Sequence, residues 1–284
     1  MPYSSSLTNA EWEVLEPLLV EILPEKKRTR PSNWTKRDII DGIFYQLKNG
    51  CNWEDLPKDL PPYSTVYWHL HSVARSGSHW TIDERLSWTS TRTSEKKSKC
   101  TTLLIIDSQA VQNTCNAGVE SKGFCFYKST NGIKRHLAVD TLGYPFFTHC
   151  TRANVSDDAG LIEMLTHQIN YFQSKPVNIP KITILLDHGY HPEHLRQELQ
   201  KVYPQIMRKI KFELSTKPSK QDKAAQGKSG FVPAVARWVI ERSNAWMERC
   251  KILVKNFERT LDNATAKLNL CFVRLMIKRL AISS

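Results

Sequence analysis

The sequence predicts an α/β protein in which a sheet-containing domain follows a small all-helical domain. Two apolar runs, LLIID (103–107) and ITILLD (182–187), each end at an aspartate and are typical of strands covered on both faces. Before residue 89 the apolar residues recur with helical spacing instead. Residues 89–100 are polar, rich in Ser, Thr and Lys, and aperiodic. We therefore predict a helical domain at 1–88, a linker at 89–100 and an α/β domain at 101–284.

Composition narrows the class of protein. The 284 residues are 40% hydrophobic and 24% charged, as in ordinary globular proteins. No run approaches the roughly eighteen apolar residues of a membrane helix. The first residues lack the basic and apolar regions of a signal peptide, so we expect a cytoplasmic protein without membrane contact. The seven cysteines include no C-x-x-C pair, so neither a disulfide framework nor a structural zinc site is expected.

The whole chain has a formal net charge of +12, and this positive charge is concentrated in its last third. Residues 201–228 contain eight basic and two acidic residues, and residues 242–284 contain nine and three, so each segment carries +6. The first 200 residues therefore balance to zero. Such a field attracts polyanions, and nucleic acid is the first candidate partner. A basic surface that serves only solubility is the alternative.

The first two helices are predicted from their end signals. Thr8 and Glu11 form a capping-box pattern, and the helix they open ends before Pro24. Thr35 can cap the second helix, which Asn49-Gly50 ends.

The third helix is predicted to start at Ser64, after a proline-rich turn at 56–63. Three short helices with a tight turn before the last are typical of a helix-turn-helix unit. We expect its polar face, with Thr65, Trp68 and His69, to contact DNA. Packing roles for Trp68 and His69 are the alternative.

The α/β domain continues with a hairpin and then alternates helices and strands. The turn Asp140–Gly143 separates two strands within 133–151. Further along, the pattern predicts a helix at 157–171, a strand at 181–187, a helix from Pro192, a loop at 213–230, a long helix at 237–257 and a last helix near 264–280. The chain between the two aspartate-ended strands is long enough for them to lie parallel in one sheet.

Asp107 and Asp187 would then emerge at the carboxyl edge of that sheet, where α/β proteins bind ligands. Two neighbouring carboxylates repel each other unless a proton or a cation lies between them. Oxygen ligands favour Mg²⁺ or Mn²⁺, and two such ions about 3.5–4 Å apart can support phosphodiester chemistry. A turn-forming role is the alternative for each aspartate, and we assign that role to Asp140. Asp157 and Asp158 begin a helix, where negative charge is favourable.

Three histidines follow Asp187 at every third position. On a helix, His188, His191 and His194 would fan over about 120°, too wide for three ligands to converge easily. A glycine and a proline between them also place His188 in a loop. We therefore favour Asp187 over a histidine metal site.

A third acid would complete a two-ion site, and spacing leaves its identity open. In the predicted helix at 236–259, Glu241 lies off the buried stripe, on the same flank as Arg237. A surface pair with Arg237 one turn earlier explains this glutamate. By spacing alone, Glu248 and Glu258 are equally eligible.

Five short blocks occur in order along the chain: IIDSQAV (105–111), KRHLAVDTLG (134–143), ANVSD (153–157), LLDHGY (185–190) and RWVIERSNAWMERCK (237–251). Together they resemble the core of DDE transposases of bacterial insertion sequences. The segment GIFYQLKNGCNWEDLP (42–57) resembles the helical region that precedes this core, so the resemblance covers nearly the whole chain. It implies a ribonuclease H-like fold, a mixed sheet flanked by helices. It also implies that Asp107, Asp187 and Glu241 gather around two Mg²⁺ ions, with Mn²⁺ as a substitute.

The assignment of Glu241 rests on the family signature Tyr-x₂-Arg-x₃-Glu-x₆-Lys, which Arg237 and Glu241 match. The chain departs from this signature at two positions. Ala234 stands at the tyrosine position and Glu248 at the lysine position, with Arg249 just beyond. Some related subgroups share a similar W-V-x-E-R form.

The resemblance implies a transposase that cuts double-stranded DNA at element ends and joins the freed 3′ hydroxyl to target DNA. Candidate DNA contacts in the α/β domain are Lys134, Arg135, His136, Arg237, Arg242 and Arg249. Recombining two ends implies at least a homodimer, acting at the nucleoid in the bacterial cytoplasm. A nuclease of the same fold that does not join strands is one alternative. A catalytically inactive DNA-binding protein is the other.

Overall fold

The computed structural model describes residues 3–19, 33–76, 102–168, 181–215 and 235–283. Within these ranges the helices are α1 (Asn9–Leu19), α2 (Lys36–Asn49), α3 (Tyr63–Ser76), α4 (Asp157–His167), α5 (Pro192–Val202), α6 (Pro204–Met207), α7 (Val235–Met247) and α8 (Leu261–Ser283). The strands are β1 (Leu103–Gln112), β2 (Phe124–Cys125), β3 (Thr130–Val139), β4 (Pro145–Arg152), β5 (Ile182–Leu186) and β6 (Ile210–Leu214). The predicted linker at 89–100 and the end of the first helix lie outside the described residues.

The predicted helix starts are confirmed for α1 and α2 but not for α3. The Thr8 amide donates to the Glu11 carboxylate, and the Glu11 amide donates to the Thr8 hydroxyl, which completes the capping box. Thr35 caps α2, and the amide of Gly50 closes it at the other end. The predicted cap at Ser64 is wrong, since α3 already begins at Tyr63.

One mixed sheet forms the centre of the α/β domain. Strands β4, β3 and β1 are antiparallel neighbours, and β1, β5 and β6 continue the sheet in parallel. The short β2 pairs with the start of β3. Helices flank this sheet, so the predicted ribonuclease H-like α/β fold is confirmed, with the helical region before it.

Strand β1 is longer than its apolar run predicts. The prediction that the strand ends at Asp107 is wrong, because pairing with β3 continues from Asp107↔Leu137 to Gln112↔Gly132. On its other side β1 loses its partner earlier, since β5 ends at Leu186. Asp107 therefore lies in mid-strand, beside the point where the neighbouring strand stops.

Further predicted boundaries differ from the structure, since the helix predicted at 157–171 ends at His167. The predicted loop at 213–230 starts too early, because Ile210–Leu214 forms β6, which pairs with β5 along its whole length. The remainder of that loop from residue 216 is outside the described ranges. The helix predicted at 237–257 ends at Met247, since the chain beyond it forms hydrogen bonds with the end of β1. There the Asn256 amide donates to the Gln112 carbonyl, and the Thr114 amide donates to the Asn256 carbonyl.

Hydrophobic cores cover both faces of the sheet. On one face, side chains of β1 and β5 such as Ile106 and Ile184 pack with Leu161 of α4 and Leu195 of α5. On the other face, the core joins β1 and β3 to α8 and continues into α1, α2 and α3. The first three helices thus pack against the sheet and α8 through one continuous core. None of the described helices is both long and apolar enough to cross a membrane.

An ion pair joins the first helix to the last. The Arg274 guanidinium lies 2.8 Å from the Glu11 carboxylate, and these side chains are only 19% and 5% exposed. Because the pair is largely buried, removing one partner leaves the other charge without compensation.

We predict that Arg274→Gln lowers the free energy of unfolding of the whole chain by about 3 kcal/mol. The matched control is Lys201→Gln, which removes the cation of a 2.6 Å pair with Glu198 in which both side chains are exposed. That change should have little effect, since solvent screens the pair. Urea denaturation of both variants measures the difference, and equal losses would contradict the role of burial.

Candidate active site

Helix α7 is fixed to the sheet by the turn between β3 and β4. The Arg242 guanidinium donates to the Leu142 carbonyl (2.7 Å), and the Ser243 hydroxyl donates to the Gly143 carbonyl (2.7 Å). Gly143 has φ +81°, which favours glycine, and a side chain there would press on Ser243. These contacts set the position of α7 along the sheet.

The predicted turn-forming role of Asp140 is confirmed. Its buried carboxylate accepts hydrogen bonds from the amides of Leu142 (2.8 Å) and Tyr144 (3.0 Å). The side chain therefore shapes the turn that receives α7.

Asp107 lies in β1, and Asp187 directly follows the neighbouring parallel strand β5. The register Leu103↔Thr183 and Ile105↔Leu185, extended by two residues, sets Asp107 beside Asp187. Alternation along β1 directs Asp107 to the same face as Ile105, which α7 and α8 cover. The two predicted aspartates thus meet at the end of β5.

One face of α7 contacts both aspartates. Arg237, Glu241 and Asn244 are four and three residues apart, so they project from the same side of the helix. The Asn244 amide donates to the Asp107 carboxylate (3.1 Å). Arg237 lies 2.6 Å from Asp187 and 3.8 Å from Glu241, so a single guanidinium stands between these two carboxylates.

The two aspartates differ in electrostatic environment. Burial raises the pKa of Asp107 above its usual value, although the positive charge of Arg237 acts against this shift. Burial also pushes the pKa of Asp187 upward, but the His188 amide and the Arg237 guanidinium outweigh it, so the net shift is downward. Two neighbouring carboxylates that are partly buried repel each other, so a nearby cation stabilises them.

The chemistry of these donors fits a divalent metal ion. In the part of the chain that the structure describes, no three His, Cys, Asp or Glu side chains are grouped closely enough to hold a metal as they stand. Arg237 supplies the positive charge instead, between Asp187 and Glu241. Carboxylate oxygens are the ligands that Mg²⁺ and Mn²⁺ prefer, so an ion could take the position that the guanidinium now fills.

Comparisons with known proteins decide the family. A family model described as "Transposase DDE domain" matches residues 98–276, more than half of the chain. The chain belongs to the DDE transposase family. A second model, described as "Putative transposase of IS4/5 family", matches residues 7–82, which include α1, α2 and α3. The family resemblance predicted from the sequence blocks is confirmed.

A curated relative carries the same type of name. The "Putative transposase for insertion sequence element IS402" of Burkholderia cepacia is 27% identical over 146 residues. This match covers 50% of the chain and 62% of the relative, so the chain spans less than two thirds of that relative's length. No solved structure gives a significant match.

A second layer of polar contacts joins the start of α4 to the sheet and to the loop after Asp187. Asp157 accepts from the Lys134 ammonium (2.7 Å) and the Ser108 hydroxyl (2.8 Å). Asp158 accepts from the His191 amide (3.0 Å) and lies 2.7 Å from its ring Nδ1. The interpretation of these aspartates as helix-start charges was therefore incomplete, although the block ANVSD marked their segment as part of the family core.

The structure corrects the expectation that residues 134–136 are open to DNA. Lys134 is 8% exposed and is held by Asp157, while Arg135 is 4% exposed and donates to the Leu253 carbonyl (2.7 Å). His136 is fully buried and hydrogen bonds with Thr151. Their partners lie inside the protein because β3 is covered on both faces. A short basic motif in the sequence does not show whether its strand is covered.

The other candidate DNA contacts lie nearer the surface. Arg249 is exposed, whereas Arg242 is sandwiched between Trp238 and Trp246, with its guanidinium 4.5 Å and 5.0 Å from their ring centres. In α3, Trp68 is 39% exposed, and Thr65 and His69 are half-buried. DNA contact by these side chains stays a prediction.

Of the three histidines after Asp187, His191 directly precedes α5, and its ring is hydrogen-bonded to Asp158. His194 lies inside α5, and His188 donates its backbone amide to Asp187 (2.8 Å). The loop thus serves to orient the carboxylate of Asp187.

We predict that Arg237→Gln raises the pKa of both Asp107 and Asp187, because the guanidinium lowers both in the native chain. NMR titration of protein with isotope-labelled aspartate carboxyls measures the two values. Lys201→Gln, which removes a charge paired with Glu198, should leave both unchanged. An unaltered Asp187 titration in Arg237→Gln would show that the ion pair does not exist in solution.

Proposed function

We propose that this chain is a transposase that cuts DNA at the ends of an insertion sequence and joins the 3′ hydroxyl to target DNA. The supporting observation is the meeting of Asp107 and Asp187 at the end of β5 under the face of α7 that carries Glu241. Family membership supplies the reaction class, and this cluster supplies acids that suit it.

Asp107, Asp187 and Glu241 would hold divalent Mg²⁺ or Mn²⁺. Two such ions, when bound, activate the attacking oxygen and stabilise the leaving one in phosphodiester chemistry. The residues of the chain position these groups: Asn244 fixes the Asp107 carboxylate, and the His188 amide fixes that of Asp187. Arg237 would release the two carboxylates and turn to a DNA phosphate, since its charge is then no longer needed between them.

Double-stranded DNA is the proposed substrate, both as element end and as target. The exposed Arg249 and the helix α3 are candidates for contact with it, and the basic last third of the chain favours a polyanion. Two DNA ends must meet, so at least a homodimer is proposed, acting at the nucleoid in the bacterial cytoplasm.

Glu241 and Glu248 provide a matched test of the third acid, because both are exposed glutamates at or beside α7. With duplex DNA that carries the inverted repeats flanking the coding region, we expect Glu241→Gln to lose cleavage by about a hundredfold or more. Asp107→Asn and Asp187→Asn should do the same, while all three still bind the duplex. Glu248→Gln should cut normally, and the reverse pattern would exclude Glu241.

The same assay distinguishes the alternative functions. Cleavage followed by joining to a second duplex supports transposition, and cleavage without joining indicates a nuclease of the same fold. Binding without cleavage indicates a DNA-binding protein that has lost its chemistry. Either of the last two outcomes would overturn the proposed strand transfer.

Metal binding is predicted to need the same acids. Free Mn²⁺, followed by electron paramagnetic resonance, should bind the native chain and bind at least about tenfold more weakly to Asp187→Asn. A chelator should abolish cleavage, and added Mg²⁺ or Mn²⁺ should restore it. Glu248→Gln serves again as the control. Equal Mn²⁺ affinity in the native chain and Asp187→Asn would contradict the proposed site.

A further inference from the structure

Two cysteine side chains meet between the end of α7 and the interior of α8. The sulfur of Cys250 lies 3.0 Å from the sulfur of Cys271, within the distance of a hydrogen bond between the two thiols. A disulfide bond is roughly 2.05 Å long, so the sulfurs are about 1 Å short of bonding distance. Both residues belong to the core that joins the sheet to α8, where they are 9% and 4% exposed. A small rotation of the two side chains would therefore bring the sulfurs together.

Local hydrogen bonds fix the backbone of each cysteine. The Cys250 amide donates to the carbonyl of Met247, the last residue of α7 (2.9 Å), and the Leu253 amide donates to the Cys250 carbonyl (2.8 Å). Cys271 lies inside α8, whose helical hydrogen bonds hold it in place. The two sulfurs consequently stay within reach of each other.

The surroundings of Cys250 favour its reactive, deprotonated form. The hydrogen bond from the Cys271 thiol lowers the pKa of Cys250, and the positive charges of Arg274 and Lys48 act in the same direction, whereas burial opposes them. The thiolate, rather than the thiol, is the nucleophile in the reactions of cysteine. Both sequence neighbours of Cys250 are exposed, so this cysteine lies where the core meets solvent and a small oxidant can approach it.

We propose that Cys250 and Cys271 form a redox pair, which a hydroperoxide converts into a disulfide within the chain. The Cys250 thiolate attacks one oxygen of the hydroperoxide, so that an S–O bond forms while the O–O bond breaks. The other oxygen leaves with the proton that Cys250 has lost, as water if the oxidant is hydrogen peroxide. The Cys271 sulfur then displaces hydroxide from this sulfenic acid, and its own proton leaves with the hydroxide as a second water. Two thiols are thereby oxidised and one peroxide is reduced.

The new bond would hold the end of α7 on α8. It joins residues 21 positions apart, and a crosslink of this length stabilises a fold mainly by restricting the unfolded chain. Because α7 also carries Glu241 and Asn244, oxidation would secure the helix on which the candidate site depends. The inference requires neither metal nor DNA, so it stands or falls independently of the proposed function.

The test exposes the full chain to hydrogen peroxide, blocks the remaining thiols with N-ethylmaleimide and digests the protein with trypsin without reduction. Cleavage after Lys and Arg releases Cys250 in the dipeptide 250–251 and Cys271 in the peptide 268–274. Mass spectrometry shows which cysteines are joined, and thermal unfolding of the undigested protein is followed with and without dithiothreitol. The variants are Cys271→Ser and, as the matched control, Cys115→Ser, which removes an exposed thiol elsewhere.

We expect the two peptides to be joined after oxidation, with two hydrogen atoms fewer than the separate thiol peptides, and to come apart in dithiothreitol. The oxidised native chain should unfold about 5 °C or more above the reduced chain. Cys115→Ser should behave like the native chain. Cys271→Ser should show neither the joined peptide nor the gain, and its Cys250 should instead be labelled by dimedone, which traps sulfenic acids.

Three outcomes would overturn the inference, and the native chain alone can give each of them. If peroxide yields no joined peptide, the two thiols are not a redox pair. If Cys250 is joined instead to another cysteine, in the same chain or in a second copy, the pairing is wrong. If the joined peptide forms but the unfolding temperature does not rise, the bond does not secure α7 on α8.

Discussion

The docking of α7 across the sheet is the constraint on which the candidate site depends. Arg242 and Ser243 bind the carbonyls of the β3–β4 turn, and Asn244, the next residue along, binds Asp107. Consecutive side chains of one helical turn thus contact a hairpin on one side and a carboxylate on the other. With the helix so fixed, Glu241 is directed towards the end of β5.

The electrostatics of the cluster follow from where β5 stops. Asp107 is in mid-strand and half-buried, so its charge is poorly solvated, whereas Asp187 stands at the open end and accepts a backbone amide. Arg237 is the counter-ion that makes this arrangement stable without metal. Because this substitute cation lies on its own helix, the site can fold without a bound metal ion.

Local signals in the sequence predicted much of the fold, and tertiary contacts explain the features that these signals did not predict. Caps such as Thr8 with Glu11 and the Asp140 turn depend on residues within a few positions, so a pattern can reveal them. The extension of β1 to Gln112 depends on its pairing with β3. The early end of α7 depends on Asn256, which hydrogen bonds to the chain at the end of β1. Both contacts join residues that are far apart in the sequence. The pattern of apolar runs predicted that Asp107 and Asp187 lie at one edge of a sheet, but only the family resemblance identified Glu241 as the third acid. The ion pair of Arg237 with Asp187 joins residues fifty positions apart, and no periodicity could predict it.

The location of Mn²⁺ by anomalous X-ray scattering, in crystals of the full chain soaked with the ion, tests the proposed metal site most directly. We expect a peak bounded by the carboxylates of Asp107, Asp187 and Glu241, with the contact between Arg237 and Asp187 broken. Mn²⁺ bound only at His191 and Asp158 would contradict the proposed metal site, as would a peak from which Glu241 is turned away while Arg237 still pairs with Asp187.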